Sequence, residues 1–369
     1  MSTESYEQAG VRQQGEAISS IVRHLGPTIG LPEGVETLTT FGQYASVLKV
    51  SDDIAIAIST DGVGSKTIIA SRLDRYDTIG FDCVAMNVND ILCVGARPFA
   101  MVDYLGVHTL DPRRADEVLR GLAGAAKEAG IAIPGGELAQ LPEVIGSDGT
   151  SPGDVTAFDL VGTCIGRVHP NRVVLGRDVT PGDAIVGIAS SGIHSNGLTL
   201  ARKVLLHDGG HDLDEEIAVL GRSLGEELLQ PTEIYVRAIV ALWDAGIETH
   251  GLAHITSDGF MNLTRVLSDT GYEIDNVPDI PPIFELIRDR GSVDIAEMFS
   301  VFNMGIGFCV VLPEEEAPRA ISIINQVGKK QAWVIGRAVR DARKRVRLHQ
   351  YGLVGEGKDF RHVARDELR

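Results

Sequence analysis

Two periodicities of apolar positions alternate along the chain, and each change from one to the other marks a predicted element. A strand pattern at 47–50 meets the polar turn Ser51-Asp-Asp53 and then the apolar run Ile54-Ala-Ile-Ala-Ile58, which predicts a hairpin. Further strand patterns fall at 99–107, 131–133, 158–168, 183–189, 308–312, 333–339 and 346–348. Helical spacing recurs at 67–72, 198–206, 224–229, 232–245, 261–267, 283–290, 296–301 and 318–327. Val84, Val88, Ile91 and Leu92 share one helical face, which places Asp82, Asn89 and Asp90 near the two ends of a helix. Residues 112–130 are amphipathic, with proline in the first turn and glycine at the end. Residues 1–30 read as an arm containing Tyr6, then a polar helix carrying Ile18, Ile21, Val22 and Leu25.

Strands and helices do not alternate regularly in either half. An α+β arrangement, with helices packed on mixed sheets, is therefore expected in place of a doubly wound sheet. A turn-rich stretch, from His169-Pro-Asn-Arg172 on to Gly182, predicts a domain join near 170. The organisation is then 1–170, 171–348 and a polar, loosely held tail over 349–369. A length of 369 residues agrees with two domains.

Composition narrows the function classes. The chain is 44% hydrophobic but only 5% aromatic, which suits an aliphatic, well-packed core. No apolar run approaches the ~20 residues that span a bilayer, and the opening MSTESYEQAG lacks the basic and apolar parts of a secretory signal. Cys83, Cys93, Cys164 and Cys309 are scattered with no paired spacing, which predicts buried free thiols in a reducing compartment. A cytoplasmic protein is expected. The net charge of −17 offers no field for a nucleic-acid backbone. The basic stretch at 337–347 alternates like a strand face and is expected to be a solvated edge.

The chemistry concentrates in glycine-rich turns. Ser59-Thr-Asp-Gly-Val-Gly-Ser-Lys66 follows a strand and opens a helix. Gly62 and Gly64 permit close backbone approach, Asp61 suits Mg2+ and Lys66 suits phosphate. The spacing is not that of a Walker A loop, and the stretch also reads as an ordinary turn ending a strand. Asp82 and Asp90 suit either metal binding or helix capping. Glu137 follows a glycine pair at an expected strand end. Ser190-Ser-Gly-Ile-His-Ser-Asn-Gly197 places hydroxyls and His194 before a helix, which fits anion binding better than a serine nucleophile. His250 and His254 lack metal-site spacing and read as buried, hydrogen-bonded histidines.

Taken together these motifs resemble one family. Asp61-Gly-Val-Gly-Ser-Lys66, Asp82-Cys-Val-Ala-Met-Asn-Val-Asn-Asp90, Gly135-Gly-Glu137, the 190–197 loop, Pro231-Thr-Glu-Ile-Tyr-Val236, His254-Ile-Thr256 and Phe302-Asn-Met-Gly-Ile-Gly307 occur in the order and spacing of aminoimidazole ribonucleotide (AIR) synthetases. The match covers residues 6–348. The first motif is shared with thiamine-monophosphate kinases, selenophosphate synthetases and related enzymes; no cysteine in the N-terminal glycine region supports the selenophosphate reading.

The resemblance implies a two-domain protomer whose N-terminal strands form a shared barrel in a homodimer. It implies ATP and Mg2+, and cyclisation of formylglycinamidine ribonucleotide through an iminophosphate. It implies that Asp61, Asp82, Asp90, Asn89 and Glu137 hold the metal and nucleotide with Gly62, Gly64 and Lys66. It implies that His194, Ser191, Asn196 and Asp258 face the substrate, with His194, Lys66 and Asp90 catalytic. Four stretches depart from the family: Leu138-Ala-Gln-Leu-Pro142 lacks a usual threonine and glutamate, the 143–156 loop is unlike the usual short linker, Ser257-Asp258-Gly259 replaces a run of glycines, and the glycine-rich early loop is reduced to Phe41-Gly-Gln-Tyr44. A same-fold enzyme with another acceptor, or a catalytically silent nucleotide-binding dimer, remain the alternatives.

Overall fold

The computed structural model describes residues 9, 15–31, 33–146 and 154–368. The expected arm around Tyr6 and the middle of the 143–156 loop lie outside these residues. After α1 (Gly15–Leu25) come β1 (Glu36–Thr37), β2 (Ser46–Lys49), β3 (Ala55–Gly62), α2 (Lys66–Leu73), α3 (Ile79–Cys93), β4 (Arg97–Val107), α4 (Pro112–Ala129), β5 (Ala132–Gln140) and β6 (Phe158–Val168). The six strands form one sheet in the order β1-β2-β3-β6-β4-β5. Only β4 and β5 run parallel, joined by α4; the other pairs are antiparallel.

The second half contains β7 (Ala184–Ala189), α5 (Leu198–Arg202), the small pair β8 (Glu216–Ile217) and β9 (Arg222–Ser223), α6 (Leu224–Leu228) and α7 (Val236–Asp244). It continues with β10 (Gly251–His254), β11 (Thr270–Ile274), α8 (Pro282–Gly291), α9 (Ile295–Val301), β12 (Ile306–Leu312), α10 (Ala317–Ile323), β13 (Ala332–Arg340), β14 (Val346–Leu348), β15 (Leu353–Glu356) and β16 (Asp359–His362). Its sheet runs β10-β12-β7-β13-β11-β14-β15-β16, with β11 and β14 the parallel pair. This is the expected α+β arrangement of helices on mixed sheets.

Local chemistry explains the elements that position the site. Asp111 caps α4 by accepting from Arg113 N at 2.9 Å, Pro112 stands where no N–H is needed, and Gly130 closes the helix at φ 71°. Helix α3 lies unusually close to its neighbours because glycines face it. A Cβ at Gly80 would run into the α4 backbone at Gly121 and Leu122. One at Gly162 of β6 would stand 2.8 Å from Asn87 Nδ2, and one at Gly166 would strike Ile91. Helix α3 is thereby pressed onto the sheet with its two acidic ends fixed, and one contiguous core joins both halves.

Three expectations change. The strand at 131–133 does not stop at Pro134 but continues as β5 to Gln140, because an edge strand tolerates proline and glycine. The stretch beyond Tyr351 is no loose tail: Leu353, Val354 and Phe360 are buried in two further strands. These strands cover β14, so the basic segment is not a sheet edge; Arg345 and Arg347 bond Asp341 at 2.7 Å each, and Arg343 pairs with Glu356.

Candidate functional site

The first turn of α3 builds a joint between the halves. Asp82 is fully buried, and its Oδ1 accepts from Lys66 Nζ at 2.8 Å, Thr232 N at 2.8 Å, Thr232 Oγ1 at 2.7 Å and Ser195 Oγ at 3.1 Å. Lys66, the first residue of α2, is also fully buried and donates to the Gln230 carbonyl as well. Burial lowers the Lys66 pKa, and the Asp82 charge opposes that shift. Lys66, expected at phosphate, and Asp82, expected at metal or nucleotide, close on each other here, with the second half wrapped around them. Ser65 Oγ meets Thr199 Oγ1 at 3.1 Å beside them.

The last turns of α3 continue the junction. Asn89, expected at the nucleotide, is buried; its Nδ2 donates to the Glu233 carbonyl at 2.8 Å and its Oδ1 accepts from Tyr235 N at 3.1 Å. The backbone N–H groups of Thr232, Glu233 and Tyr235 are thus given to Asp82, His194 and Asn89. That is why α7 begins at Val236 and not at 232, as its apolar spacing predicted.

Asp90 and Asp61 face one another's fields. Asp90 Oδ1 bonds His254 Nδ1 at 2.9 Å, and the other imidazole nitrogen meets Asn89 Nδ2 at 3.4 Å, so His254 is the buried, bonded histidine expected. Asp61, at the end of β3, accepts from Gly62 N at 2.8 Å, and its backbone carbonyl accepts from Asn87. Gly64 has φ 70°, which frees the turn between them and α2. Burial, and then the Asp90 charge, raise the Asp61 carboxyl to about 6. His254 and Arg265 act on it in the opposite direction.

The 190–197 loop is held from within. His194 takes φ 66°, is buried, and its Nε2 accepts from Ser191 N at 3.2 Å and Glu233 N at 3.4 Å. Burial, helped by the charges of His254, Lys66 and Lys330, holds its pKa well below the ordinary value, so the ring is neutral. Its Nδ1 is buried without a partner among the described residues. Ser191 Oγ donates to the Pro231 carbonyl at 2.5 Å. His194 and Ser191, expected to face the substrate, brace the loop through these bonds. Asn196 is half-buried, and its Nδ2 meets only the Met86 sulfur at 3.9 Å.

Two residues lie apart from these. Glu137 is exposed on β5, in the row Gly62, Val161, Tyr104, Glu137 across β3, β6, β4 and β5. Three strand spacings separate it from Gly62, roughly 14 Å, so within one protomer it does not join Asp61 and Asp90. Among the described residues no three His, Cys, Asp or Glu side chains are grouped to hold a metal. Asp258 adopts φ 72° and its side chain caps nothing. The constraint on this loop falls on Gly259, where a Cβ would strike the Phe299 carbonyl.

Sequence reasoning missed Tyr44 and Arg265. Tyr44 OH donates to the carbonyls of His254 and Asn262 at 3.3 and 3.1 Å, and the Arg265 guanidinium lies 4.0 Å over the Tyr44 ring. The sequence signals were the reduced loop Phe41-Gly-Gln-Tyr44 and the pair Asn262 and Arg265, one helical turn apart after the His254 loop.

Comparison with known proteins matches the description "AIR synthase related protein, N-terminal domain" to residues 42–168 and the corresponding C-terminal domain to residues 180–349. The chain belongs to the AIR synthase related family. The phosphoribosylformylglycinamidine cyclo-ligase of Methanobrevibacter smithii is 44% identical over 348 residues, which is 94% of this chain and 98% of that protein. That of Thermococcus kodakarensis is 43% identical over 353 residues, 95% of this chain and 99% of its own. Among solved structures, thiamine-monophosphate kinase from Stenotrophomonas maltophilia matches with TM-score 0.58 at 17% identity, over 91% of this chain and 95% of that one. The hydrogenase maturation protein HypE of E. coli matches with TM-score 0.55 at 18% identity, over 95% and 97%. These two likenesses carry the fold alone. AIR synthase related domains thus account for both halves that α3 joins.

Proposed function

We propose that this family member is an ATP-dependent phosphoribosylformylglycinamidine cyclo-ligase. It converts formylglycinamidine ribonucleotide and ATP to aminoimidazole ribonucleotide, ADP and phosphate. The observation that carries this reading is the 44% identity to a cyclo-ligase over 98% of that relative's length. The departures at 138–142 and 257–259 sit within that full-length match, so a different acceptor or a silent binder is not favoured.

An amide oxygen is a poor leaving group. Phosphorylation of the formyl oxygen converts it to a good one, and the substrate's amidine nitrogen then closes the five-membered ring. The chain's work is to position two anionic ligands and to balance charge during transfer. Asp61 and Asp90 would be the oxygen donors for Mg2+: burial and then the Asp90 charge raise the Asp61 carboxyl, and a dication would relieve both. When bound, Mg2+ supplies charge neutralisation at the phosphates of ATP. His254 fixes the Asp90 carboxylate through its 2.9 Å bond. Asn196, whose Nδ2 meets no oxygen among the described residues, is the loop side chain we assign to the ribonucleotide.

The protein acts as a homodimer in this reading. Helices cover one face of the first sheet; the other carries Ile56, Ile58, Val161, Ile165, Val102 and Tyr104, and Val102 remains 45% exposed. Glu137 shares that face, so any contact it makes with nucleotide belongs to the dimer. Four buried, unbridged cysteines agree with the cytoplasm, and no helix among the described residues is long and apolar enough to cross a membrane. The deciding assay is ADP release from Mg2+-ATP with and without formylglycinamidine ribonucleotide. Strong stimulation with stoichiometric aminoimidazole ribonucleotide is expected; unstimulated ATP turnover would overturn the assignment.

A further inference from the structure

Lys66 is closed on Asp82 and Gln230, which leaves the acidic pair without the cation that its motif promised. Another cation is linked to that pair by contacts: half-buried Arg265 lies over the Tyr44 ring, the Tyr44 hydroxyl donates to the His254 carbonyl, and the His254 ring bonds Asp90. Its Nε donates to the Gly42 carbonyl at 3.1 Å, Nη1 to Asn262 Oδ1 at 3.3 Å and Nη2 to the Gln43 carbonyl at 3.5 Å. Gln43 Nε2 returns a bond to the Arg265 carbonyl at 3.1 Å. The guanidinium is held 4.0 Å over the Tyr44 ring by these bonds, so its orientation is set before any ligand arrives. A guanidinium has five N–H donors, and two of these find no acceptor among the described residues.

We infer that Arg265 binds the β,γ-phosphates of ATP, in the role that the sequence assigned to Lys66. The inference rests on the ATP-dependent reading above. A fixed guanidinium with unused donors beside a carboxylate pair provides a polyphosphate clamp: the acids take the dication, and the fork takes phosphate oxygens. The same residue joins residues 42–44 of the first half to the 254–265 segment of the second, so the clamp spans both.

The test compares binding of AMP, ADP and a non-hydrolysable ATP analogue, each with Mg2+, to the intact protein and to Arg265→Ala and Arg265→Lys. Arg265→Ala should weaken ADP and the ATP analogue by roughly 10-fold to 100-fold, as for loss of a charged hydrogen bond, and leave AMP within about twofold. Arg265→Lys, which keeps the charge, should fall between. Thermal melting of each variant shows whether the fold is kept. Equal weakening of all three nucleotides would mean that Arg265 only holds residues 42–44, and would overturn the inference, as would unchanged ADP binding in Arg265→Ala. If the intact protein binds none of the three, the ATP-dependent reading itself fails and this inference with it.

Discussion

The sharpest prediction concerns Lys66→Met, because motif and structure assign this residue opposite work. Among the described residues Lys66 is the only charged donor to Asp82, whose carboxylate is fully buried and whose Oδ2 has no partner there. Methionine keeps the stem volume but removes the ammonium. Asp82 then keeps only neutral donors, Thr232 N, Thr232 Oγ1 and Ser195 Oγ. Breaking a buried pair from one side costs about 3–5 kcal/mol, and those donors hold the loss to the lower end. At ~2–4 °C per kcal/mol for a domain of this size, the thermal midpoint should fall by roughly 6–12 °C.

The partner change Asp82→Asn supplies the control. In the double variant the buried charge is gone while an amide oxygen still accepts from Thr232, so most of the loss should return. Melting curves for the four proteins close the cycle, and KM for ATP is measured well below every midpoint. Lys66→Met should melt early with KM for ATP changed less than about threefold. A variant that melts like the parent while KM for ATP rises tenfold or more would refute the reasoning and restore Lys66 to the phosphate.

Other outcomes follow from the same geometry. Burial and the Asp90 charge raise the Asp61 pKa from the ordinary 3.8 to about 6 in the folded state, so the folded state holds a proton that the unfolded state releases. Stability is therefore lost as pH rises from about 4 to 6, and Asp61→Asn should be the more stable protein above pH 6, by up to roughly 3 kcal/mol, and no more stable at pH 3.5, in urea unfolding without nucleotide. Asp90→Asn should lower ATP turnover on the order of 100-fold while sedimentation shows the same assembly; surviving turnover would remove Asp90 from the metal. Gly307→Ala would place a Cβ 2.6 Å from His194 Cε1 and onto the Tyr235 hydroxyl, and should cost about 3 kcal/mol or more, seen as loss of soluble protein or of the folded baseline. Val102→Asp, on the open face of the first sheet, should yield monomers in sedimentation with the circular-dichroism spectrum unchanged.

What the sequence made legible was whatever depends on neighbours in the chain. Strand β6 and helix α4 followed from alternation, capping and a closing glycine within their own residues. Elements that depend on distant partners were misread. Helix α7 starts late because Asp82 and Asn89 take the N–H groups before it, and nothing in 232–236 announces this. Strand β5 runs through Pro134 because it is an edge, a property of the sheet and not of the segment. The site shows the same division. Lys66 and His194, prominent in their motifs, are turned inward by Gln230 and Glu233, 164 and 39 positions away.

That division has a mechanical reading. Asp82 and Asp90 stand eight residues apart on α3, a rise of roughly 12 Å. One end is tied to Lys66, Ser195 and Thr232, the other to His254. Glycines at 80, 121, 162 and 166 leave the helix no room to shift against α4 or β6. The helix is thus a strut that fixes the distance from the joint to the acidic pair. The motif around it would then preserve that distance as much as the acids themselves. A substitution at the joint reaches the site through a rigid body, without touching a ligand. Lys66→Met and Asp90→Asn should accordingly differ in kind: the first lowers the temperature at which activity is lost, the second lowers activity at every temperature.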